Sequence, residues 1–326
     1  MRPRIVVVPP SAEVGKIAQE MAPAGFETML ITRESPQFAP TLSEAVYIVC
    51  YPGAKLDAAF YRTAPRLRLV QLLSAGYDDV DLEAARRAGV PVANNGGANA
   101  ISVSEHALML MLTCVKRTFA VDKSTRAGDW GTARAGNTEL GGKTLGIVGV
   151  GNVGRRVAKF TGAIGMRVLG YDKYIADDEL RRRGVEPVAS LEALLPQVDV
   201  LTCHTPLTPE TRHMINEKTI GLMKPGAIYI NTSRGPVQDE RALFEALTRG
   251  KLGAAGLDVW EEEPTSADNP ILNLQNVVCS SHVAGVTREA TRQAAMQVSG
   301  EMLRVLRGER PDVLVNPDVW ARLGRR

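Results

Sequence analysis

One run of glycines has a spacing that can do chemistry: Gly149-Val150-Gly151-Asn152-Val153-Gly154, a G-x-G-x-x-G pattern. Between a strand and a helix, the first glycine permits a tight turn and the second lets backbone approach a pyrophosphate. The third lets helix and strand pack closely, and N–H groups at the helix start then face the phosphate oxygens. The apolar stretch TLGIV precedes the run and an apolar-periodic segment follows it, as the motif requires. Asp172 closes the next apolar stretch, RVLGY. A carboxylate there accepts hydrogen bonds from ribose hydroxyls and repels a 2′-phosphate. The pattern points to NAD in preference to NADP, although Lys173 beside Asp172 offers a phosphate some attraction. Gly142-Lys143-Thr144 is not a P-loop, because Asn137 stands where that motif needs a glycine and a strand follows directly.

A hydride carrier acting at a carbonyl needs a partner that exchanges protons near neutral pH, and histidine is the usual choice. The chain has four. His106 lies on an apolar helical stretch and reads as a satisfied core residue, while His213 falls in a polar loop and reads as solvated. His204 and His282 each follow an apolar strand, at the edge where open α/β sheets place ligands. Residue types alone leave the choice between these two open. Arg234, in Asn231-Thr232-Ser233-Arg234-Gly235-Pro236, can hold a carboxylate bidentately. The run Glu261-Glu262-Glu263 before Pro264 reads by composition as a solvated turn.

The elements that must position these residues alternate between strand and helix. The first stretch has strands expected at Arg4–Val8, Thr28–Ile31, Ala45–Tyr51, Leu67–Leu73 and Val90–Ala93. Helical patterns fall at Ala12–Met21, Leu56–Ala64 and Asp81–Ala88, the last closed by Gly89. A helical region from Asn99 to about Arg126 follows, with Ser102 or Ser104 as its expected cap. A second alternation then has strands at Thr144–Gly149, Arg167–Tyr171, Val198–Cys203, Ala227–Asn231, Ala254–Val259 and Asn276–Ser280. Its helices are expected at Val153–Ile164, Ala176–Arg183 and Asp239–Thr248, with a last one from Thr287 to about Leu306. Such alternation argues for α/β architecture with parallel sheets covered on both faces.

The bulk numbers agree. A length of 326 residues suits two domains, and 44% hydrophobic with 23% charged residues is a globular composition. The longest apolar run, Ala107–Val115, falls short of a membrane span. The start reads as a strand, with no cleavable signal. A net charge of +3, with no basic stripe interleaved with aromatics, argues against nucleic-acid binding. Cys50, Cys114, Cys203 and Cys279 form no C-x-x-C pair, so neither a zinc site nor a disulfide framework is expected. The three at strand ends are expected to be buried thiols, and the setting cytoplasmic.

Seven stretches resemble, in order, the D-isomer-specific 2-hydroxyacid dehydrogenases, covering nearly the whole chain: SAGYDDVDLEAA, NAISVSEHALMLML, ELGGKTLGIVGVGNVG, HTPLTPETRHMIN, MKPGAIYINTSRGPVQDERAL, GAAGLDVWEEEP and SHVAG. The resemblance puts the family's acid/base residue at His282, its glutamate at Glu263 and its arginine at Arg234. Glu263 would hold the His282 ring and stabilise its charged form. Arg234 would fix the substrate carboxylate, aided by backbone N–H groups of Ser74, Ala75 and Gly76. The cofactor set it implies is Gly149, Gly151, Asn152, Val153, Gly154 and Asp172 toward the pyrophosphate and ribose, Thr205 and Pro206 toward the adenosine half, and His204 as a further contact. Thr232, Ser233, Arg234 and Asp258 would lie toward the nicotinamide, with His282 and Gly285 as further cofactor contacts.

The resemblance further implies two lobes: a Rossmann-type doubly wound nucleotide-binding domain (101–287) inserted in a flavodoxin-like substrate domain (1–100 plus 288–326). The active site would lie in the cleft, and the helix Ser102–Val115 would help build a homodimer. Glu263 disfavours formate, since formate dehydrogenases of this superfamily carry glutamine there. Tyr51 and Leu72 stand near the places where phosphoglycerate-oxidising members usually carry arginines, and the chain stops soon after Asn316, where such members often continue into a regulatory domain. Glyoxylate, hydroxypyruvate or a larger apolar 2-keto acid is expected, with Lys55 leaving an anionic substrate open. A second reading is an NAD(H)-sensing scaffold like the corepressors that share this fold.

Overall fold

The computed structural model describes residues 2–9, 11–51, 56–78, 80–131 and 134–323. The chain divides into two compact units, one made of Met1–Asn99 with Val286–Arg326 and the other of Ala100–Gly285.

The first unit carries five parallel strands: β1 (Arg4–Val8), β2 (Glu27–Leu30), β3 (Ala45–Cys50), β4 (Leu69–Leu72) and β5 (Val92–Ala93). They lie in the order β2-β1-β3-β4-β5, which is the flavodoxin-like winding. Side chains alternate between two cores, as the two-residue period of a strand demands. Val6, Ile48 and Val70 enter one, while Ile5, Tyr47 and Leu69 enter the other. The helix Arg288–Leu306, capped by the Thr287 side chain at the Ala290 N–H, lays Val298, Met302 and Val305 onto the second core. The tail then returns to the sheet edge. Leu314 bridges Ala93, the buried Asn316 accepts from the Val92 N–H at 2.8 Å, and Arg86 pairs with Asp318 at 2.7 Å.

The second unit carries seven parallel strands: β6 (Thr144–Val148), β7 (Arg167–Tyr171), β8 (Glu186–Pro187), β9 (Val200–Cys203), β10 (Ala227–Asn231), β11 (Leu252–Leu257) and β12 (Val277–Cys279). Their order is β12-β11-β10-β9-β6-β7-β8. The order reverses where β6 meets β9, a doubly wound topology whose switch point is the ligand-binding crevice of such sheets. Neighbouring side chains again part to opposite faces, Tyr229 into one core and Ile230 into the other. The helix Ala100–Val115 covers the second face with Ala107, Leu110 and Met111. It packs so closely that a Cβ on Gly256 of β11 would stand 2.8 Å from Leu110 Cβ.

Several expectations need correction. Ser102 and Ser104 do not cap a helix, because it starts at Ala100 and holds both in its interior. Ser104 Oγ instead donates to the Ile101 carbonyl at 2.7 Å, the back-bonding that lets serine sit inside a helix. The region to Arg126 is two helices, broken where Arg117 turns left-handed (φ 49°). Cys279 is exposed, unlike the other three cysteines, because it ends the edge strand β12. The helices Phe38–Ser43, Glu217–Leu222 and Pro317–Leu323 escaped the periodicity reading because six or seven residues do not complete two full turns. Among the described residues, no helix is long and apolar enough to cross a membrane.

Candidate active site

The glycine turn joins β6 to the helix Gly154–Ala163. Gly149 sits at φ 86°, and a Cβ there would lie 2.8 Å from the His204 carbonyl oxygen. A Cβ on Gly154 would lie 2.2 Å from the Gly149 carbonyl oxygen, so the helix can start this close to the turn only without a side chain. At Gly151 a Cβ would meet nothing within 4 Å. The first and third glycines are therefore demanded by the protein itself, whereas the second keeps one side of the turn open.

Asp172 accepts from the Val150 N–H at 2.8 Å through one oxygen, and from the Tyr174 and Ile175 N–H groups at 2.9 and 3.1 Å through the other. A carboxylate offers about four acceptor sites, which leaves capacity for a ribose hydroxyl. Lys173 is drawn to Glu210 at 2.7 Å, so its cation is already paired. Thr205 Oγ1 is buried and has no hydrogen-bond partner among the described residues. The open side of Gly151, the remaining capacity of Asp172 and this unmet hydroxyl all fit a dinucleotide.

His204 contacts Thr202 Oγ1 through Nε2 at 3.0 Å and Thr232 Oγ1 through Nδ1 at 3.4 Å. Burial pushes its pKa down to about 3. An imidazole that stays uncharged at neutral pH is a poor proton donor.

Arg234 is set by the turn after β10. Asn231, fully buried, accepts from the Ser233 N–H and hydroxyl at 2.9 and 2.7 Å. Its amide donates to the Arg234 carbonyl and to Gln238 Oε1, both at 3.0 Å. Gly235 then brings this turn against the one following β11, where a Cβ would fall 1.7 Å from the Trp260 carbonyl oxygen. Trp260 ties the neighbouring segments together: its backbone N–H donates to Glu263 Oε1 and its indole N–H to the Ser280 carbonyl, each at 3.0 Å.

His282 Nδ1 meets Glu263 Oε2 at 2.6 Å. Burial pushes the Glu263 carboxyl up, but the bond to His282, the Trp260 N–H and the charges of His282 and Arg234 outweigh it. The carboxyl is held below the ordinary glutamate value. His282 itself has a left-handed backbone (φ 57°), which costs a non-glycine residue about 1–2 kcal/mol. Asp258, fully buried, secures it. Its carbonyl accepts from the His282 N–H at 2.7 Å, and its carboxylate oxygens from the Val283 and Ala284 N–H groups at 3.0 and 2.9 Å.

Arg234, Glu263 and His282, 48 residues apart in the chain at the extremes, thus share one electrostatic neighbourhood, with Thr232, Ser233 and Asp258 in the segments that hold them. Asn152, Val153 and Pro206 lie on the glycine turn and the segment after β9, and Gly285 closes the unit. Ser74, Ala75 and Gly76 form a loop after β4 in the other unit, tied by Ser74 Oγ to the Gly76 carbonyl at 2.6 Å. Leu72 is buried in its sheet, Tyr51 is exposed after β3, and Lys55 falls outside the described residues. His213 lies 3.2 Å from Glu261, so it has a partner as well as solvent. Residue types did not reveal the bracing roles of Asn231, Gly235, Trp260 and Ser280. The only signal was their position inside the stretches that carry the arginine, glutamate and histidine.

Residues 108–284 match the NAD binding domain of the D-isomer specific 2-hydroxyacid dehydrogenases. The chain is 38% identical over 314 residues to a D-3-phosphoglycerate dehydrogenase of Methanocaldococcus jannaschii, covering 96% of this chain but 59% of that protein. It is 37% identical to a glyoxylate reductase of Korarchaeum cryptofilum, covering 98% of this chain and 97% of that protein. Among solved structures, a D-lactate dehydrogenase from Aquifex aeolicus, complexed with NAD and lactic acid, superposes with a TM-score of 0.83 at 30% identity. That match covers 96% of this chain and 99% of the other. None of these likenesses supports the scaffold reading.

Proposed function

The chain belongs to the D-isomer specific 2-hydroxyacid dehydrogenase family, and from that premise we propose that it interconverts a 2-keto acid and a D-2-hydroxy acid with NAD(H). One contact carries the assignment of roles: the 2.6 Å bond between His282 Nδ1 and Glu263 Oε2. It commits one ring nitrogen to the carboxylate and directs Nε2 to proton exchange with the substrate oxygen. In reduction the imidazolium gives its proton to the keto oxygen, and in oxidation the neutral ring takes the hydroxyl proton. Glu263, held ionised by its surroundings, steadies the ring in both states. The Arg234 guanidinium binds the carboxylate of the substrate and polarises its carbonyl. NAD, when bound, supplies or accepts the hydride.

Gly149, Gly151, Asn152, Val153 and Gly154 would hold its pyrophosphate, and Asp172 its ribose hydroxyls. His204, Thr205 and Pro206 would flank the adenosine half, with Thr232, Ser233, Asp258 and Gly285 framing the nicotinamide side. The pairing of Lys173 with Glu210 supports NAD over NADP. Ser74, Ala75 and Gly76 are proposed as N–H donors to an anionic substrate. Glyoxylate, hydroxypyruvate and apolar 2-keto acids are the substrates to try. The helix Ala100–Val115 exposes Ile101, Met109 and Leu112, an apolar set suited to a homodimer.

Purified protein with NADH and a panel of 2-keto acids should consume NADH. His282→Ala should lower kcat by about 10²–10⁴-fold and leave NADH affinity nearly intact. Unchanged turnover in that variant removes His282 from the role.

A further inference from the structure

We propose that His106 and Ser280 are positioning residues that set the geometry of His282 through Asp258, a deepening that rests on the dehydrogenase reading above. His106 projects from the helix Ala100–Val115 and is only 16% exposed. Its Nε2 lies 2.9 Å from Ser280 Oγ, and Ser280 Oγ donates to Asp258 Oδ1 at 2.6 Å. The direct distance from His106 Nε2 to Asp258 Oδ1 is 3.6 Å, too long for a hydrogen bond, so the serine is the link.

The direction of the chain follows from the inventory of hydrogens. A serine hydroxyl has one hydrogen, and Ser280 gives it to the carboxylate. Toward His106 it can therefore only accept, which places a hydrogen on Nε2. The series runs N–H to O–H to carboxylate, an arrangement in which each bond polarises the next. At its far end Asp258 holds the left-handed turn. The oxygen that receives the Ser280 bond is the same Oδ1 that accepts from the Val283 N–H.

Without the serine, the Asp258 carboxylate loses its shortest donor and the fixed direction of that oxygen. The 282–284 backbone is then free to relax from φ 57° toward the ordinary regions. His106 is thus the strut by which a rigid helix, itself packed on β11, orients the acid/base loop. Arg234 likewise has a buried polar residue beside it, Asn231, which ties the turn after β10.

The test compares S280A, S280T, H106L and H106Q with the unmodified protein, reading kcat, KM, NADH affinity by fluorescence, and Tm. Ser280→Ala and His106→Leu should each lower kcat on the order of 10- to 100-fold, the cost of a misplaced reacting group, with NADH affinity held. Ser280→Thr, which keeps the hydroxyl, and His106→Gln, whose Nε2 stands near the imidazole Nε2 position, should recover most of the rate. A merely structural role predicts a Tm loss without this pattern of rescue. Wild-type kcat in S280A, or S280T and H106Q as slow as S280A and H106L, overturns the proposal. An unmodified chain that consumes no NADH with any 2-keto acid overturns the dehydrogenase reading itself, and this inference with it.

Discussion

Glu263 and His204 show how one fold gives ionisable groups opposite behaviour. The folded-state pKa of Glu263 is depressed, so its contribution to stability is present above the unfolded value and is lost only as pH falls through the lowered one. The brace on His282 therefore holds across the neutral range. For His204 the charged form is the one penalised. Between about 3 and the unfolded value near 6.5, the unfolded chain binds a proton there and the folded chain does not. Stability then rises with pH across that window, by at most about 1.4 kcal/mol per pH unit from this residue. The cofactor-free protein should lose Tm on going from pH 7 to pH 5, and His204→Asn should flatten that decline. A variant whose Tm falls as steeply as before would show that His204 does not carry the effect.

At the scale of an element, the strand–turn–helix unit around Gly149–Gly154 separates what the fold needs from what the ligand needs. The third glycine is required by a backbone oxygen 2.2 Å away, the second by nothing in the protein. Gly154→Ala should therefore lower Tm on the order of 5–10 °C, the size expected for a buried backbone clash in a unit of this length. Gly151→Ala should leave Tm near its original value yet weaken NADH binding by about tenfold or more, close to 1.4 kcal/mol. Thermal melts and a fluorescence titration distinguish the two, and equal Tm losses would mean that the open side of Gly151 is not the pyrophosphate side. The same reasoning applies to Gly235, whose missing Cβ lets the arginine turn reach the glutamate turn.

For the whole molecule, the decisive fact is that Ala100–Gly285 is one continuous segment with cores on both faces of its own sheet. The other unit is assembled from both chain ends, joined through Val92–Asn316 and Arg86–Asp318. Expressed alone, residues 100–285 should fold and bind NADH without turning over a 2-keto acid. Saturation at about 100 times Kd should stabilise that segment by about 2.7 kcal/mol, readable as a rise in Tm. A segment that folds but gains nothing from NADH would place essential cofactor contacts outside it.

The sequence by itself determined the alternating strands, the glycine turn with its acid, and seven ordered stretches that pointed to Arg234, Glu263 and His282. These are written in local spacing: a period of two for strands, a six-residue turn, short runs that follow one another in order. Tertiary structure decided the rest. Residue types could not choose between His204 and His282. In the fold, burial lowers the pKa of the first, and a carboxylate 19 positions away in the chain pairs with the second. Nor could they show that Glu261-Glu262-Glu263 is more than a solvated turn, or that Asp258 faces inward to hold a left-handed histidine. Hydrogen bonds between turns depend on how closely those turns approach, and at Gly235 that distance is set by a missing atom and a carbonyl 25 residues on. Periodicity records which face of an element is buried. It does not record which loop ends meet.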